Sequence, residues 1–112
     1  MADKISYEYF KKLDLRVGKI LEAVKVVDSD KLYRLKVDIG EKESIQIVTG
    51  LVDYYKEDEL IGKKIVVVVN LEPAKFRGEM SNGMLLCAVD ETEGKCVLLC
   101  PEKDIKPGCL VS

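Results

Sequence analysis

Apolar and polar side chains alternate over residues 33–39, where every second residue is apolar. The apolar members of the series are Tyr33, Leu35, Val37 and Ile39. A period of two residues predicts a β-strand with one buried face. Arg34 and Lys36 occupy the intervening positions, so we expect both of them on the outward face of this strand.

The preceding segment, Leu15 to Val27, changes the parity of its apolar positions. They are odd-numbered up to Val17 and even-numbered from Ile20 onward, with Gly18 at the change. A glycine at such a change predicts a bulge or sharp bend that lets one long strand curl and serve two sheets. A strongly coiled first strand is typical of a small barrel.

Local signals predict the remaining elements. Ser6 is a candidate N-cap for a short helix that reaches Lys12. The segment from Tyr54 has acidic residues early and Gly62 at its end, which indicates one or two helical turns closed by a glycine C-cap. Further strands are predicted over residues 45–49, 64–69, 84–89 and 96–100, and a largely irregular tail follows.

This order of elements is that of an OB-type barrel. We therefore predict an all-β fold: a five-stranded Greek-key barrel with a short amino-terminal helix, a short helix between strands three and four, and a carboxy-terminal β extension. With 112 residues the chain is expected to form a single domain. Its parts are the amino-terminal helix (1–13), the barrel (14–89) and the extension (90–112).

The loop between the fourth and fifth strands, Asn70 to Met84, is the strongest candidate for a binding site. It is polar, contains glycines and lies between the two most apolar runs of the chain. In OB folds, the loops between strands one and two and between strands four and five bind ligands. The first of these loops is residues 28–30, and the second is this segment.

The chemistry of this loop suits RNA. Lys75 and Arg77 can each neutralise a phosphate, and Asn70 and Ser81 offer short hydrogen-bonding groups for ribose hydroxyls. Met84 offers an apolar face for a base, although it is equally suited to be the first core residue of strand five. Two glutamates, Glu72 and Glu79, reduce the formal charge of the loop to zero. Cations of the neighbouring segments must therefore contribute, namely Lys31, Arg34 and Lys36.

Composition and charge limit the classes of function. The chain is 47% hydrophobic and 34% charged, which is typical of a globular domain. Its net charge of −2 argues against coating nucleic acid by bulk electrostatics, without excluding a local basic patch. No apolar run approaches the roughly 20 residues of a membrane span, and the amino terminus lacks a signal-peptide core. We therefore expect a cytoplasmic protein.

Metal binding and catalysis are poorly supported by the sequence. There are four cysteines and no histidine, and the cysteines show none of the close pairs of structural zinc sites. Buried, reduced thiols are the simpler interpretation. Without histidine there is no His-based catalytic triad, and no P-loop motif is present. We therefore expect no cofactor, no metal and no enzymatic activity.

Several ordered motifs resemble the tRNA-binding domain family, which includes the carboxy-terminal domain of methionyl-tRNA synthetases, stand-alone dimeric tRNA-binding proteins and a secretion-associated chaperone branch. The motifs are DLRVGKI (14–20), DKLY with LKVD (30–33 and 35–38), IVTGL (47–51), GKKIVVVVNL (62–71), PAKFRG (73–78) and SNGM (81–84). Thr49 departs from the serine that is more usual in the family, but it keeps the hydroxyl.

The resemblance implies an OB fold that binds tRNA largely by its shape and backbone, as a homodimer or as a module associated with a methionyl-tRNA synthetase. The binding surface that it implies is formed by Asn70, Lys75, Arg77, Ser81 and Met84, with Lys31 and Thr49 as weaker members. Dimer contacts are expected from the amino-terminal helix and the carboxy-terminal extension.

Two alternatives to tRNA binding stay open. The first is a peptide-binding, secretion-type chaperone of the same family, in which the apolar rim of the groove accepts an extended polypeptide. The net charge of −2 and the neutral loop are compatible with it. The second is a structural module that provides dimerisation or docking for a synthetase.

Overall fold

The computed structural model describes residues 2–112, which contain two one-turn helices and ten β-strands. The first residue of the predicted segment 1–13 lies outside this range. The helices are α1 (Tyr7–Phe10) and α2 (Glu57–Leu60). The strands are β1 (Leu15–Lys25), β2 (Tyr33–Asp38), β3 (Ile45–Thr49), β4 (Lys64–Val68), β5 (Ala74–Phe76), β6 (Glu79–Ser81), β7 (Met84–Leu85), β8 (Cys87–Asp90), β9 (Lys95–Leu98) and β10 (Leu110–Val111).

Strand β1 pairs with three other strands. Its first part pairs antiparallel with β4 and β10, and its second part pairs antiparallel with β2. The pairing with β2 shifts in register between Ile20 and Glu22. The sequence predicted this irregularity at Gly18, so its existence is confirmed but its predicted position is wrong. Shortly after Gly18 the strand passes from one set of partners to the other, as a coiled barrel strand requires.

Gly18 has a different role, which is to allow close packing. A Cβ atom there would lie 2.7 Å from Cγ1 of Val37 and 2.9 Å from Cγ2 of Val67. These two valines belong to β2 and β4, the neighbours of β1 on either side. The missing side chain therefore lets both strands pack closely against the interior of the curled sheet.

The main sheet has the strand order β3-β2-β1-β4-β7. Its two outer strands approach each other through the segment just before β7, where the amide of Asn82 donates to the carbonyl oxygen of Gln46 at 2.8 Å. The sheet thus curls into a nearly closed barrel. This arrangement confirms the predicted OB-type all-β fold, with α2 between β3 and β4.

The core fills the inside of this barrel. Inward-facing residues of β2, β3 and β4 are fully buried, as are Ile20 and the α2 residue Leu60. The hydroxyl of the buried Tyr33 donates to the carbonyl oxygen of Tyr55 at 2.6 Å. The hydroxyl of Tyr55 in turn accepts from the amide of Leu98 at 3.1 Å. These bonds satisfy the polar ends of two large side chains at the end of the barrel.

The predicted strand over residues 84–89 is interrupted at Leu86. Its first part, β7, pairs with β4, whereas its second part, β8, forms a separate hairpin with β9. Of the four reduced cysteines, Cys100 is exposed and the others are half-buried, so the expectation of buried thiols holds only in part. Burial and the neighbouring thiol of Cys96 raise the pKa of Cys87 to about 12.

Residues 2–112 contain neither a cluster of metal-ligating side chains nor a membrane-spanning helix. No group of three or more histidine, cysteine, aspartate or glutamate side chains is arranged there to hold a metal ion. No helix in this range is long and apolar enough to cross a bilayer.

The carboxy-terminal tail returns to the start of β1. Leu110 and Val111 pair with Arg16 and Leu15. Before this pairing, the tail crosses the β2–β3 turn, where a Cβ on Gly40 would lie 2.6 Å from Cα of Gly108. Both glycines have positive φ angles, 80° and 93°, so this backbone-to-backbone crossing depends on residues without side chains.

The packing at Gly18 predicts that Gly18→Ala destabilises the fold. The new methyl group would clash with two valines whose backbones are fixed in neighbouring strands, and overpacking of this kind costs about 1–3 kcal/mol. The free energy of unfolding in urea measures the loss. Gly50→Ala is a matched control, since a Cβ there meets its nearest neighbour at an ordinary 3.9 Å. Equal stability of the two variants would contradict the packing argument.

Candidate nucleic-acid interface

The segment between β4 and β7 folds as a β-hairpin. Strands β5 and β6 pair with Phe76 opposite Glu79, which leaves Arg77 and Gly78 as a two-residue turn. Both turn residues have positive φ angles, 52° and 83°. Positive φ at both positions is the geometry of a type I′ turn, which suits the twist of a hairpin. The sequence predicted a polar loop here, and the hairpin was missed because each of its strands is only three residues long, too short for a period of two to be recognised.

The two faces of this hairpin have different environments. Residues opposite one another in a hairpin point to the same side, so Glu79 and Ser81 share one face and Lys75 and Met80 share the other. Ser81 is buried and Glu79 is half-buried, whereas Lys75 and Met80 are exposed. The face with Ser81 is therefore directed toward the barrel, and Lys75 is directed toward solvent.

Ser81 fixes the base of the hairpin to the barrel. Its hydroxyl accepts from the amide of Val48 in β3 at 3.0 Å and donates to the carbonyl oxygen of Gly83 at 2.9 Å. The side chain is only 3% exposed. Both hydrogen-bonding capacities that were predicted to serve a ribose hydroxyl are thus directed into the protein.

A groove of about 390 Å³ lies beside the hairpin on the outer face of β1, β2 and β3. Arg34 and Lys36 line it, as their predicted outward positions require, together with Glu22, Val24 and Gln46. The side-chain amide of Gln46 donates to the carbonyl oxygen of Met80 at 2.9 Å, so it also connects the groove to the hairpin. The structure thus brings two of the predicted cations next to the predicted loop.

The cations of this surface differ in their partners. Arg34 pairs with Glu79 at 2.9 Å and Lys36 approaches Glu22 at 3.9 Å. Lys31 hydrogen-bonds to the carboxylate of Asp53, which raises the pKa of the lysine.

The hairpin cations are arranged differently. Within residues 2–112, Lys75 and Arg77 form no ion pair, and both are exposed. The uncompensated positive charge of this surface is therefore concentrated on the hairpin.

Three other predicted residues, Asn70, Thr49 and Met84, do not line the groove. Asn70 accepts from the amide of Asp14 at 2.8 Å and donates to the carbonyl oxygen of Lys12 at 2.7 Å, so its side chain ties the end of α1 to the end of β4. Thr49 is 7% exposed at the end of β3. Met84 is half-buried and pairs with Val68. The structure does not bring Asn70 and Thr49 into the groove.

Sequence reasoning missed Gln46 and assigned no contact to Glu79. Both side chains form hydrogen bonds between the barrel and the hairpin. Gln46 bonds to Met80, 34 residues away, and Glu79 bonds to Arg34, 45 residues away. No local pattern signals such contacts. The outward parity of Gln46 on β3, next to Lys36 on β2, was the one available indication that it belongs to the same face.

The lysines at the start of β4, Lys63 and Lys64, lie apart from this surface. The ammonium of Lys64 contacts Asp104 in the carboxy-terminal tail at 2.6 Å, and this contact lowers the pKa of the carboxyl group. With Lys63 it lines a second groove on the tail side of the barrel.

Comparison with known families identifies the domain. The family described as "Putative tRNA binding domain" matches residues 15–109 of the 112. The chain belongs to this tRNA-binding domain family. The resemblance noted in the sequence motifs is thereby confirmed, and the matched range covers the barrel, the hairpin β5–β6 and most of the tail.

Relatives within the tRNA-binding domain family include synthetases. The chain is 50% identical over 109 residues to a methionine–tRNA ligase of Archaeoglobus fulgidus, a match that covers 97% of this chain and 16% of the relative. A similar match, 52% identical over 110 residues, is found with the methionine–tRNA ligase of Caldanaerobacter subterraneus, of which it covers 17%. The chain therefore spans about one sixth of the length of these relatives.

Solved structures of the same family include chains of similar size. A MetRS-related protein from Pyrococcus horikoshii has a TM-score of 0.91 and 38% identity, covering 99% of this chain and 100% of that one. The chaperone CsaA of Bacillus anthracis has a TM-score of 0.87 and 33% identity, covering 98% and 100%.

The hydrogen bonds of Ser81 predict that Ser81→Ala lowers stability. The buried amide of Val48 loses its acceptor, and an unsatisfied buried donor costs about 1–3 kcal/mol. Urea unfolding measures the change in the free energy of unfolding. Ser44→Ala is the control, because among the described residues its hydroxyl forms no hydrogen bond. A change for Ser81→Ala as small as that for the control would refute the proposed role.

Proposed function

We propose that this chain is a tRNA-binding module that contacts RNA mainly through phosphates and shape. It adds affinity for tRNA to a methionyl-tRNA synthetase in the cytoplasm and contributes no chemistry of its own. The observation that carries the proposal is the position of Lys75 and Arg77. These two cations lie without ion-pair partners among residues 2–112, on a hairpin held beside the groove that Arg34 and Lys36 line.

The backbone at Arg77 supports a functional role for this side chain. Its φ angle of 52° lies in the left-handed region, where a residue with a Cβ atom is less stable by about 1–2 kcal/mol. Asparagine or glycine would suit this turn position better. A strained residue is retained where the strain serves a function, and here it places a guanidinium at the outermost point of the hairpin.

The surroundings of the hairpin suit single-stranded or exposed nucleotides. Phe76 and Met80, on opposite faces of the hairpin, are 38% and 42% exposed, and Val24 in the groove is 44% exposed. Apolar and aromatic side chains next to cations form the stacking surfaces on which unpaired bases rest. With few phosphate contacts and a net charge of −2, the affinity should be moderate and sensitive to salt.

The proposed link to a synthetase rests on the relatives. The chain matches one sixth of the length of methionine–tRNA ligases, whereas it matches the whole of the MetRS-related protein. In such a division of labour, a second site on the tRNA raises the effective concentration of the synthetase at its substrate. The module then acts at a distance from the reaction.

A homodimer is part of the proposal. Large apolar side chains of α1 and the tail are exposed side by side, where α1 and β10 line a common pocket. They include Tyr7 at 68%, Phe10 at 38% and Leu110 at 67% exposure. An apolar surface of this kind marks an interaction site, and a second copy of the same surface is a suitable partner for a twofold interface.

The second candidate function is a peptide-binding chaperone. It is favoured by the similarity to CsaA over the whole length of that protein and by the apolar side chains of Val24 and Ile45 that line the groove. An extended polypeptide would lie in the same groove, so the two functions compete for one surface.

The proposal predicts that Arg77→Asn weakens tRNA binding without weakening the fold. Asparagine tolerates the left-handed turn, so the free energy of unfolding should be unchanged or higher by up to about 1 kcal/mol. The loss of one phosphate contact should lower the affinity about three- to ten-fold and reduce the salt slope by roughly one unit. Fluorescence titration with unfractionated tRNA at several salt concentrations measures both quantities.

Lys63→Ala is the control for this titration, because Lys63 lies at the start of β4, on the tail side of the barrel, and should leave the affinity unchanged. Undiminished binding by the double variant Lys75→Ala/Arg77→Asn would refute the site. Tight binding of an unfolded polypeptide with no competition by tRNA would favour the chaperone function instead.

The exposed apolar surface predicts a dimer that Leu110→Glu disrupts. Light scattering at micromolar concentration should give twice the chain mass for the wild type and a monomer mass for the variant, because a buried unpaired carboxylate destabilises an interface. Val27→Glu is the matched control, since Val27 is 80% exposed just beyond the opposite end of β1. A monomeric wild type would refute this part of the proposal.

A further inference from the structure

One ion pair connects the hairpin to the groove. Nη1 of Arg34 in β2 lies 2.9 Å from Oε2 of Glu79 in β6, with the two side chains 42% and 30% exposed. In contrast to Lys75 and Arg77, Arg34 thus enters any encounter with an anion already bound to a carboxylate. The contact spans 45 residues of sequence and joins the two elements of the proposed RNA site.

The carboxylate of Glu79 lies where an anionic ligand of Arg34 would lie. It shares with Ser81 the hairpin face directed toward the barrel, and its carboxylate lies against a guanidinium that lines the groove. A carboxylate and a phosphodiester both present two oxygens to which arginine donates, and the geometry of the two contacts is similar. The Nη1 group of Arg34 that donates to Glu79 is not available to a phosphate at the same time.

We propose that Glu79 is a built-in competitor for phosphate at Arg34, so that RNA gains the Arg34 contact by displacing the carboxylate of Glu79. The inference rests on the proposed function and assigns a role to a residue that would otherwise only reduce the charge of the hairpin. Because a phosphate must first displace the carboxylate of Glu79, Arg34 contributes less free energy to binding. The bound tRNA is therefore released more readily. Lys75 and Arg77, which have no such competitor among residues 2–112, then supply the first contacts.

The size of the effect follows from the strength of the pair. Exposed ion pairs shift an equilibrium by at most about five-fold. If Arg34 is available for only a fraction of the time, the apparent affinity is reduced by that same fraction. Removing the carboxylate should therefore strengthen tRNA binding by about two- to five-fold.

The test compares Glu79→Gln with Glu72→Gln in the tRNA titration at low salt. Both changes remove one negative charge from the segment between β4 and β7, but within residues 2–112 Glu72 is exposed and forms no ion pair. Glu79→Gln should lower the dissociation constant about two- to five-fold, and Glu72→Gln by clearly less. Glu79→Ala should behave as Glu79→Gln, which separates the loss of charge from any contact of the new amide.

Arg34→Ala completes a double-mutant cycle. In the Arg34→Ala background, Glu79→Gln should strengthen binding no more than Glu72→Gln does, because the competitor has lost its target. A purely structural contact, in which Glu79 only holds the hairpin in place, predicts the opposite sign, because a loosened hairpin weakens binding. Unfolding curves of each variant verify that the fold is retained.

Three outcomes would overturn the inference while leaving the proposed function intact. They are unchanged or weaker binding by Glu79→Gln, an equal gain for Glu72→Gln, and a gain for Glu79→Gln that persists without Arg34. Absence of tRNA binding by the wild type would instead overturn the proposed function, and this inference with it.

Discussion

One buried hydroxyl group joins the two open sides of the curled sheet. Strands β3 and β7 stand at the ends of the strand order and share no continuous ladder. The gap between them is bridged by the hydroxyl of Ser81, which bonds to the amide of Val48, and by the amide of Asn82, which bonds to Gln46. Since an unpaired strand edge is unstable when buried, the barrel depends on this bridge. The same bridge anchors the base of the hairpin, so the contacts that close the barrel also position the proposed RNA-binding surface.

Three residues of the hairpin lie in three different environments. Its base at Ser81 belongs to the core, its middle at Glu79 interacts with the groove, and its tip at Arg77 faces solvent. Rigid attachment at the base keeps the tip cations in a defined position relative to Arg34, which lowers the entropy lost when a ligand binds. This explains how a chain with a net charge of −2 can present a local cationic surface without a large basic patch.

Sequence patterns predicted the barrel well because its strands have local signals. The alternation in β2 and the parity change in β1 reflect the burial of one face, Gly62 with its positive φ follows α2, and the structure has these elements in the predicted order. The hairpin was missed because β5 and β6 are only three residues long, and its contacts with the barrel are made by a serine and a glutamate. The burial of Ser81 and the partners of Arg34 and Gln46 depend on contacts 33 to 45 residues apart, which no window of the sequence reveals.

The pairing of β1 with β10 has a consequence for how the chain reaches this structure. Leu15 is joined to Val111, so β1 lacks one of its partners until β10 has been synthesised. Contacts of such long sequence separation slow folding, because a large loop must close before they stabilise anything. In a nascent chain, Leu15 and Arg16 would therefore have one uncovered edge until Leu110 and Val111 are synthesised, and unpaired strand edges favour misassembly.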